Sequence, residues 1–206
     1  YDGSYLIITG TGQPIRDRDW IIKNVKEEEH FFVTDVSGSY AVLSIAGPKS
    51  RDLMNKVSSA DFSNKGFPYY SHRRVEIGPS IILAVRLSYI GELGWELYIP
   101  SESALPVFDE IWESGKDLGL KLAGTEALSS LRIEKGYCAW GHEITSVDTP
   151  FHAGLEKMVK FNKKEKFIGK ESLLKQKKNG LDKQLVVLTT KDSEFFPQGG
   201  EPIWWG

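Results

Sequence analysis

The sequence predicts an α+β fold in which mixed or antiparallel sheets pack against helices. Segments with the two-residue period of strands are interspersed with segments of helical period. Short turns that contain Gly or Pro join neighbouring strand segments, and antiparallel strands use such turns as connections. A new β-rich stretch begins past residue 178. We therefore expect a first domain over residues 1–178 and the start of a β-barrel-like C-terminal domain over residues 179–206.

The first elements are predicted from apolar spacing. Ser4–Thr9 has the composition of a strand, and Asp17–Lys26 has the spacing of a helix. The inward face of this helix is expected to carry Trp20, Ile21 and Val25. His30–Val36 and Tyr40–Ile45 then read as two strands around a Ser-Gly-Ser turn.

A helix and three strands are predicted next. Pro48–Val57 has Pro at an early helical position, which favours a helix. Its apolar face is formed by Leu53, Met54 and Val57. Arg73–Ile77 and Ser80–Ser88 form a hairpin around Gly78-Pro79, and Gly94–Ile99 is the following strand. The inward side of that strand carries Trp95, Leu97 and Ile99.

Two helices are predicted in the region after residue 100. Ser103 can cap a helix at Ala104–Ser114, and Thr125 can cap a second helix at Glu126–Lys135, which Gly136 ends. The apolar face of the first helix is expected to carry Leu105, Phe108, Ile111 and Trp112.

The character of the chain changes after residue 150. Lys157–Lys178 is rich in lysine and poor in acids, which predicts a solvated segment with a helix at Lys170–Lys178. A phosphate or polyanion partner is the alternative explanation. Leu185–Thr190 is predicted as the first strand of the C-terminal domain.

The composition excludes several classes of function. Of the 206 residues, 40% are hydrophobic and 26% are charged, and the formal net charge is −2. This balance predicts neither nucleic acid nor a membrane as partner. Cys138 is the single cysteine, which excludes an internal disulfide. The four histidines lack metal-ligand spacing, and no nucleophile elbow or dinucleotide loop is present, so no metal site is expected.

Glu96 is the first candidate for chemistry. In the strand pattern it faces away from Trp95 and Leu97. On a sheet with one solvated face it would simply point into water. Alternatively, a carboxylate on a rigid strand can accept two parallel N–H donors, such as the amine and ring N–H of a fused aminopyrimidine.

Two further candidates follow one another in the chain. Arg132 lies near the end of a predicted helix, where it either complements the helix dipole or offers a fork of donors to a ligand. The next segment, Tyr137-Cys-Ala-Trp-Gly-His-Glu143, has aromatic rings separated by small residues. Such a segment can support a flat ligand or fill a core, and local sequence does not separate the two.

Four stretches together resemble the folate-binding aminomethyltransferase family. They are YIGELGWELYIP (89–100), LSSLRIEKGYCAWGHEI (128–144), DTPFHAGLEKMVKF (148–161) and FIGKESLLKQK (167–177). This family includes the glycine cleavage T-protein and the C-terminal folate domains of dimethylglycine and sarcosine dehydrogenases. The dehydrogenase branch is the most similar, and the resemblance implies a T-protein-like folate-binding fold.

The resemblance implies a tetrahydrofolate site and one-carbon transfer. Its expected folate-binding residues are Glu96, for the pterin ring, with Tyr89, Arg132 and Trp140. The family's catalytic aspartate is expected upstream of this chain. We accordingly expect a fragment, with the N-terminal part of the folate domain and most of the C-terminal domain outside it, and little catalysis by the fragment itself.

The resemblance also implies the setting. The cofactor is tetrahydrofolate, and FAD belongs only to a domain outside this chain. The partner is either an upstream flavin oxidoreductase domain or a lipoyl carrier protein, in bacterial cytoplasm or the mitochondrial matrix. The alternatives are a stand-alone glycine-cleavage aminomethyltransferase and a non-catalytic regulatory module of the same fold.

Overall fold

The computed structural model of the chain describes residues 3–191, 194, 197 and 199–204. The chain divides into two compact units. Unit 1 comprises Tyr1–Leu87 and Leu93–Leu120, and unit 2 comprises Ser88–Glu92 and Lys121–Gly206. The predicted boundary near residue 178 stays a prediction, and its C-terminal segment includes residues 192, 193, 195, 196, 198, 205 and 206, which lie outside the described residues.

Unit 1 is built on one four-stranded antiparallel sheet. The strands are β1 (Tyr40–Ala46), β2 (His72–Ile77), β3 (Ser80–Val85) and β4 (Gly94–Pro100). Their order across the sheet is β1-β4-β3-β2, so β4 lies inside the sheet with a partner on each side. Together with the helices, this sheet confirms the predicted α+β class.

Five α-helices accompany the sheet within the described part of the chain. They are α1 (Pro14–Lys23), α2 (Ser50–Val57), α3 (Ala104–Gly115), α4 (Thr125–Glu134) and α5 (Lys170–Asn179). The first three belong to unit 1 and the last two to unit 2. No helix among the described residues is both long enough and apolar enough to cross a membrane.

The core of unit 1 lies between one face of the sheet and helices α2 and α3. Trp95, Leu97 and Ile99 of β4 are fully buried there, as their alternation predicts. The apolar face of α2 joins this core with Leu53, Met54 and Val57. Phe62 and Phe67 pack their rings edge-on against Trp95, at 5.3 and 6.1 Å between ring centroids.

The second face of β4 is not simply solvated. Tyr98 is only 6% exposed and Glu96 is half-buried, although both point away from the core residues of the strand. A sheet with one wet face would leave both of these side chains in water. The centre of β4 is therefore covered on both faces, which makes Glu96 an unusual position for a carboxylate.

Gly94 is the tightest backbone position at the start of β4. A Cβ built there would lie 2.6 Å from the carbonyl oxygen of Ile45 on β1, which pairs with β4. We expect Gly94→Ala to destabilise the protein by about 1–3 kcal/mol, because the β1–β4 ladder would have to open. Gly38→Ala is the control, since a Cβ there meets no atom within 4 Å. Equal midpoints of urea unfolding for the two variants would contradict this expectation.

Three predicted strands are not strands in the structure. Ser4–Thr9, His30–Val36 and Leu185–Thr190 have no regular structure, and Phe32 is 91% exposed. These segments have strand composition, but a strand also needs a neighbour that satisfies its backbone groups. No described strand pairs with any of them. The prediction was wrong at these places because composition does not supply a pairing partner.

Every predicted helix is present, but some helix starts, buried residues and caps differ from the prediction. Helix α1 begins at Pro14 rather than Asp17, because Pro is favoured in the first helical turn, and no residue of α1 is buried. In α3 the buried residues are Val107, Ile111 and Gly115, so the predicted Ile111 is buried, whereas the predicted Leu105 is 69% exposed. Neither Ser103 nor Thr125 caps its helix through its side chain. Ser103 does occupy the predicted N-cap position of α3, whereas Gly124 and not Thr125 is the N-cap residue of α4.

The lysine-rich helix agrees with the prediction of a solvated segment. Helix α5 has no buried residue, and Lys177 forms an exposed ion pair with Glu156 at 2.6 Å. Gly169, at φ +89°, occupies the N-cap position, where the left-handed conformation favours glycine. Helix α5 is therefore solvated, as the lysine-rich sequence predicts.

Candidate functional site

Glu96 is held at the centre of the sheet of unit 1. It pairs in register with Ser44 of β1 and Val85 of β3. Its Oε2 accepts a hydrogen bond of 2.6 Å from the hydroxyl of Tyr98, two residues further along the same face. A carboxylate on a strand that is paired on both sides has little conformational freedom, so its direction is set before any ligand arrives.

Tyr98 keeps Glu96 in place as a hydrogen-bond donor. Burial, followed by the hydrogen bond to Glu96 and the charge of that carboxylate, raises the pKa of the Tyr98 phenol well above its usual range. The phenol therefore stays protonated and donates across the physiological pH range. Within the part of the chain that the structure describes, Oε1 of Glu96 has no hydrogen-bond partner. The carboxylate thus retains acceptor capacity for a ligand.

Tyr89 belongs to unit 2 and presents an aromatic face. Its hydroxyl donates a hydrogen bond of 2.7 Å to the carbonyl oxygen of Cys138. Its ring stacks on that of Tyr137, with 6.2 Å between centroids and 13° between planes. Burial raises the pKa of the Tyr89 hydroxyl, yet the residue is 36% exposed. One end of Tyr89 is fixed, and an exposed part of the side chain is available for contact.

Arg132 lies in the last turn of α4 and is only 6% exposed. Its Nη1 donates to the carbonyl oxygen of Tyr137 and to Oε2 of Glu143, both at 2.9 Å. Its Nη2 donates to Oε1 of Glu143 at 3.3 Å. The fork of this guanidinium therefore holds the segment 137–143 against the end of α4. The positive charge of Arg132 thus lies at the C-terminal end of α4, where it complements the helix dipole, and it also forms a bidentate ion pair with Glu143.

Glu143 is a site residue that sequence reasoning missed. Burial alone would raise the pKa of its carboxyl group, but hydrogen bonds from the backbone N–H of Ala139 and from Arg132 outweigh it, and the pKa is lowered. The carboxylate is therefore charged and closes the segment 137–143 into a loop. A signal was present in the sequence, because an acid at the far end of a Gly-containing loop can return to an arginine at the end of the preceding helix.

Trp140 lies inside that loop and is 40% exposed. Its backbone forms an isolated bridge with Ile144, and Gly141 between them has φ +85°, a conformation that favours glycine. The loop therefore leaves part of the Trp140 ring exposed instead of burying it. For this residue, the alternative that segment 137–143 fills a core is disfavoured.

The structure brings together Tyr89 and Arg132 in unit 2, with Trp140 in the loop that Arg132 holds. Glu96 lies in unit 1, together with Tyr98. Unit 1 thus contains the oriented carboxylate of Glu96, and unit 2 contains the loop 137–143, which Arg132 holds in place. A folate-binding role for the four predicted residues stays a prediction.

Comparisons with known proteins identify the family. Residues 1–163 match the family model described as GCVT N-terminal domain. The chain is 37% identical over 204 residues to the mitochondrial dimethylglycine dehydrogenase of Homo sapiens and 38% identical over 206 residues to the mitochondrial sarcosine dehydrogenase of Mus musculus. It is 37% identical over 199 residues to an aminomethyltransferase of Halothermothrix orenii.

These alignments cover nearly the whole chain but only part of each relative. They include 98% of this chain for the two dehydrogenases and 97% for the aminomethyltransferase. The chain spans 24% and 22% of the lengths of the two dehydrogenases and 54% of that of the aminomethyltransferase. The chain belongs to the GCVT N-terminal domain family, and the predicted family is confirmed.

Proposed function

We propose that this chain binds tetrahydrofolate and orients it for one-carbon transfer as part of a dimethylglycine- or sarcosine-dehydrogenase-like protein. The observation that carries the proposal is the carboxylate of Glu96, which is half-buried at the centre of a rigid sheet and braced by Tyr98 at 2.6 Å. A half-buried charge is costly to maintain unless its hydrogen bonds are satisfied. One oxygen with remaining acceptor capacity favours a ligand that brings N–H donors.

The chemistry of the pterin fits this carboxylate. The aminopyrimidine edge of a pterin offers an amine and a ring N–H side by side, and a carboxylate can accept both. Hydrogen bonds to an ionised acceptor are about twice as strong as neutral ones, so this pair would dominate recognition of the ring. When bound, tetrahydrofolate supplies the nitrogen atoms that accept a one-carbon unit.

Unit 2 carries the other residues that the family resemblance implies for folate binding. Tyr89 and Trp140 offer aromatic surface to a flat heterocycle or to the aryl part of the ligand. Arg132 holds the loop 137–143 in place, because its guanidinium donates hydrogen bonds to the carbonyl oxygen of Tyr137 and to Glu143. Holding the pterin in one orientation is how Glu96 would contribute to the rate of transfer.

In this proposal, another domain or protein supplies the one-carbon unit. Sequence similarity to dimethylglycine and sarcosine dehydrogenases favours an adjoining flavin oxidoreductase domain that oxidises a methylamine. The flavin would take two electrons and convert the N-methyl group into the CH2 of an iminium. Transfer of that CH2 to the nitrogen atoms of folate, directly or after hydrolysis to formaldehyde, would release the demethylated amine. A lipoyl carrier protein is the corresponding donor if the protein acts as an aminomethyltransferase.

Calorimetric titration with folinic acid tests folate binding directly. We expect saturable binding of folinic acid and much weaker binding of p-aminobenzoylglutamate, which has the tail of folate but lacks the pterin. This difference is expected because the proposed recognition is through the pterin edge. Binding of neither compound to the folded protein, or equal binding of both, would contradict the proposal.

A further inference from the structure

Two arginines of unit 1 converge on one neutral acceptor. Nη2 of Arg51, in the first turn of α2, donates to Oδ1 of Asn64 at 2.7 Å. Nη2 of Arg86, directly after β3, donates to the same oxygen at 2.8 Å. Two cations are thereby held close together by an amide oxygen that carries no net charge.

No acidic group compensates this pair in the described residues. Neither Arg51 nor Arg86 forms an ion pair with any carboxylate that the structure describes. Burial, and then the charge of Arg51, lowers the pKa of the Arg86 guanidinium. Like charges held together at a partly buried position raise the free energy of the folded protein unless an anion joins them.

Unused donors occur on Arg51 and on Trp95, the ring that Arg86 approaches. Nη1 of Arg86 donates to the carbonyl oxygen of Phe67 at 2.5 Å, and its guanidinium lies 5.8 Å from the ring of Trp95. Two buried side-chain nitrogens in the described residues have no hydrogen-bond partner, and they are Nε of Arg51 and Nε1 of Trp95. Buried donors without acceptors are uncommon in folded proteins, and each one costs free energy.

We propose that Arg51 and Arg86 form a binding site for a small oxyanion, a carboxylate or a phosphate. Each guanidinium has five N–H donors, and the described contacts use one from Arg51 and two from Arg86. An oxyanion between them accepts from the remaining Nη donors of both guanidiniums and neutralises the repulsion.

The site is independent of the proposed folate site. Arg86 contacts the ring of Trp95, which faces the core side of β4, whereas Glu96 is on the opposite side of that strand. All of its residues belong to unit 1. An anion bound here would tie α2, the loop that carries Asn64 and the end of β3 together.

Nuclear magnetic resonance of arginine Nε–H groups tests the site. The wild-type chain is titrated at constant ionic strength with inorganic phosphate in one arm and with succinate in the other. We expect a saturable shift of the Arg51 Nε–H resonance, which is assigned by its loss in Arg51→Lys. The arm that saturates at the lower concentration identifies the preferred oxyanion.

Variants separate a binding site from a purely structural contact. Arg51→Gln is expected to weaken anion binding roughly tenfold, measured by the Arg86 Nε–H resonance or by anion-induced thermal stabilisation. Lys56→Gln is the matched control, because it removes one positive charge from the same helix α2 and should bind the anion as the wild type does. Arg51→Lys retains the charge but loses the fork, and we expect intermediate affinity.

The proposal is overturned by either of two results. One is a wild-type chain whose Arg51 resonance shows no saturable response to phosphate or succinate. The other is Arg51→Gln binding the anion with the affinity of the Lys56→Gln control. If Arg51→Gln does not fold, the same comparison is made with Arg51→Lys, and unchanged affinity in that variant also overturns the bidentate site.

Discussion

Replacing Glu96 with Gln should weaken binding of folinic acid by about 1.5–3 kcal/mol, which corresponds to between roughly tenfold and a hundredfold in the dissociation constant. Gln preserves the shape of the side chain and one acceptor oxygen, but it removes the charge and turns an NH₂ group toward the N–H donors of the pterin. The measurement is calorimetry of the wild type and the variant side by side.

Two controls make this result specific to Glu96. Glu92→Gln removes the same charge from the exposed turn just before β4 and should leave the affinity unchanged. Tyr98→Phe removes the donor to Oε2 of Glu96 and should weaken binding less than Glu96→Gln does, because the carboxylate charge remains. If Glu96→Gln and Glu92→Gln bind folinic acid equally well, Glu96 does not hold the pterin.

Replacing Glu143 with Ala should destabilise the protein by about 2–3 kcal/mol. The change leaves the guanidinium of Arg132, a buried residue, without its counter-charge. It also removes the acceptor of the Ala139 N–H, so the loop loses both its ion pair with Arg132 and this backbone hydrogen bond. Breaking a buried ion pair costs about 3–5 kcal/mol, and we expect less here because the Glu143 side chain is 31% exposed. Urea unfolding measures the loss.

The pH dependence of this loss has a definite sign. The pKa of Glu143 in the folded chain is lowered from its ordinary value of 4.5 by hydrogen bonds from Ala139 and Arg132 that outweigh burial. Such a carboxylate contributes its full stability above the unfolded pKa and loses it as the pH falls through the folded pKa. The stability difference between wild type and Glu143→Ala should therefore shrink below about pH 4.5.

The control for the Glu143 experiment lies on α4, the helix that carries Arg132. Glu134→Ala removes an exposed carboxylate from the last position of α4 and should change stability little. An equal effect of the two substitutions, or a Glu143→Ala difference that stays constant through acid pH, would argue against a stabilising Arg132–Glu143 pair.

Local patterns in the sequence were sufficient to predict several of the elements. Alternation identified β4, the Gly-Pro turn identified the hairpin of β2 and β3, and helical spacing identified α2, whose predicted apolar residues are all buried. These predictions succeeded because the core face of each element repeats with the period of its own backbone. The motifs around Glu96 and Arg132 likewise identified the family without any coordinates.

Tertiary structure alone decided the features that join distant residues. His30–Val36 has strand composition, yet only pairing makes a strand, and no described strand pairs with it. The ion pair of Arg132 with Glu143 and the convergence of Arg51 and Arg86 on Asn64 join residues from 11 to 22 positions apart. Local periodicity carries no information about which polar groups meet at such separations, because the path of the backbone between them sets the distance.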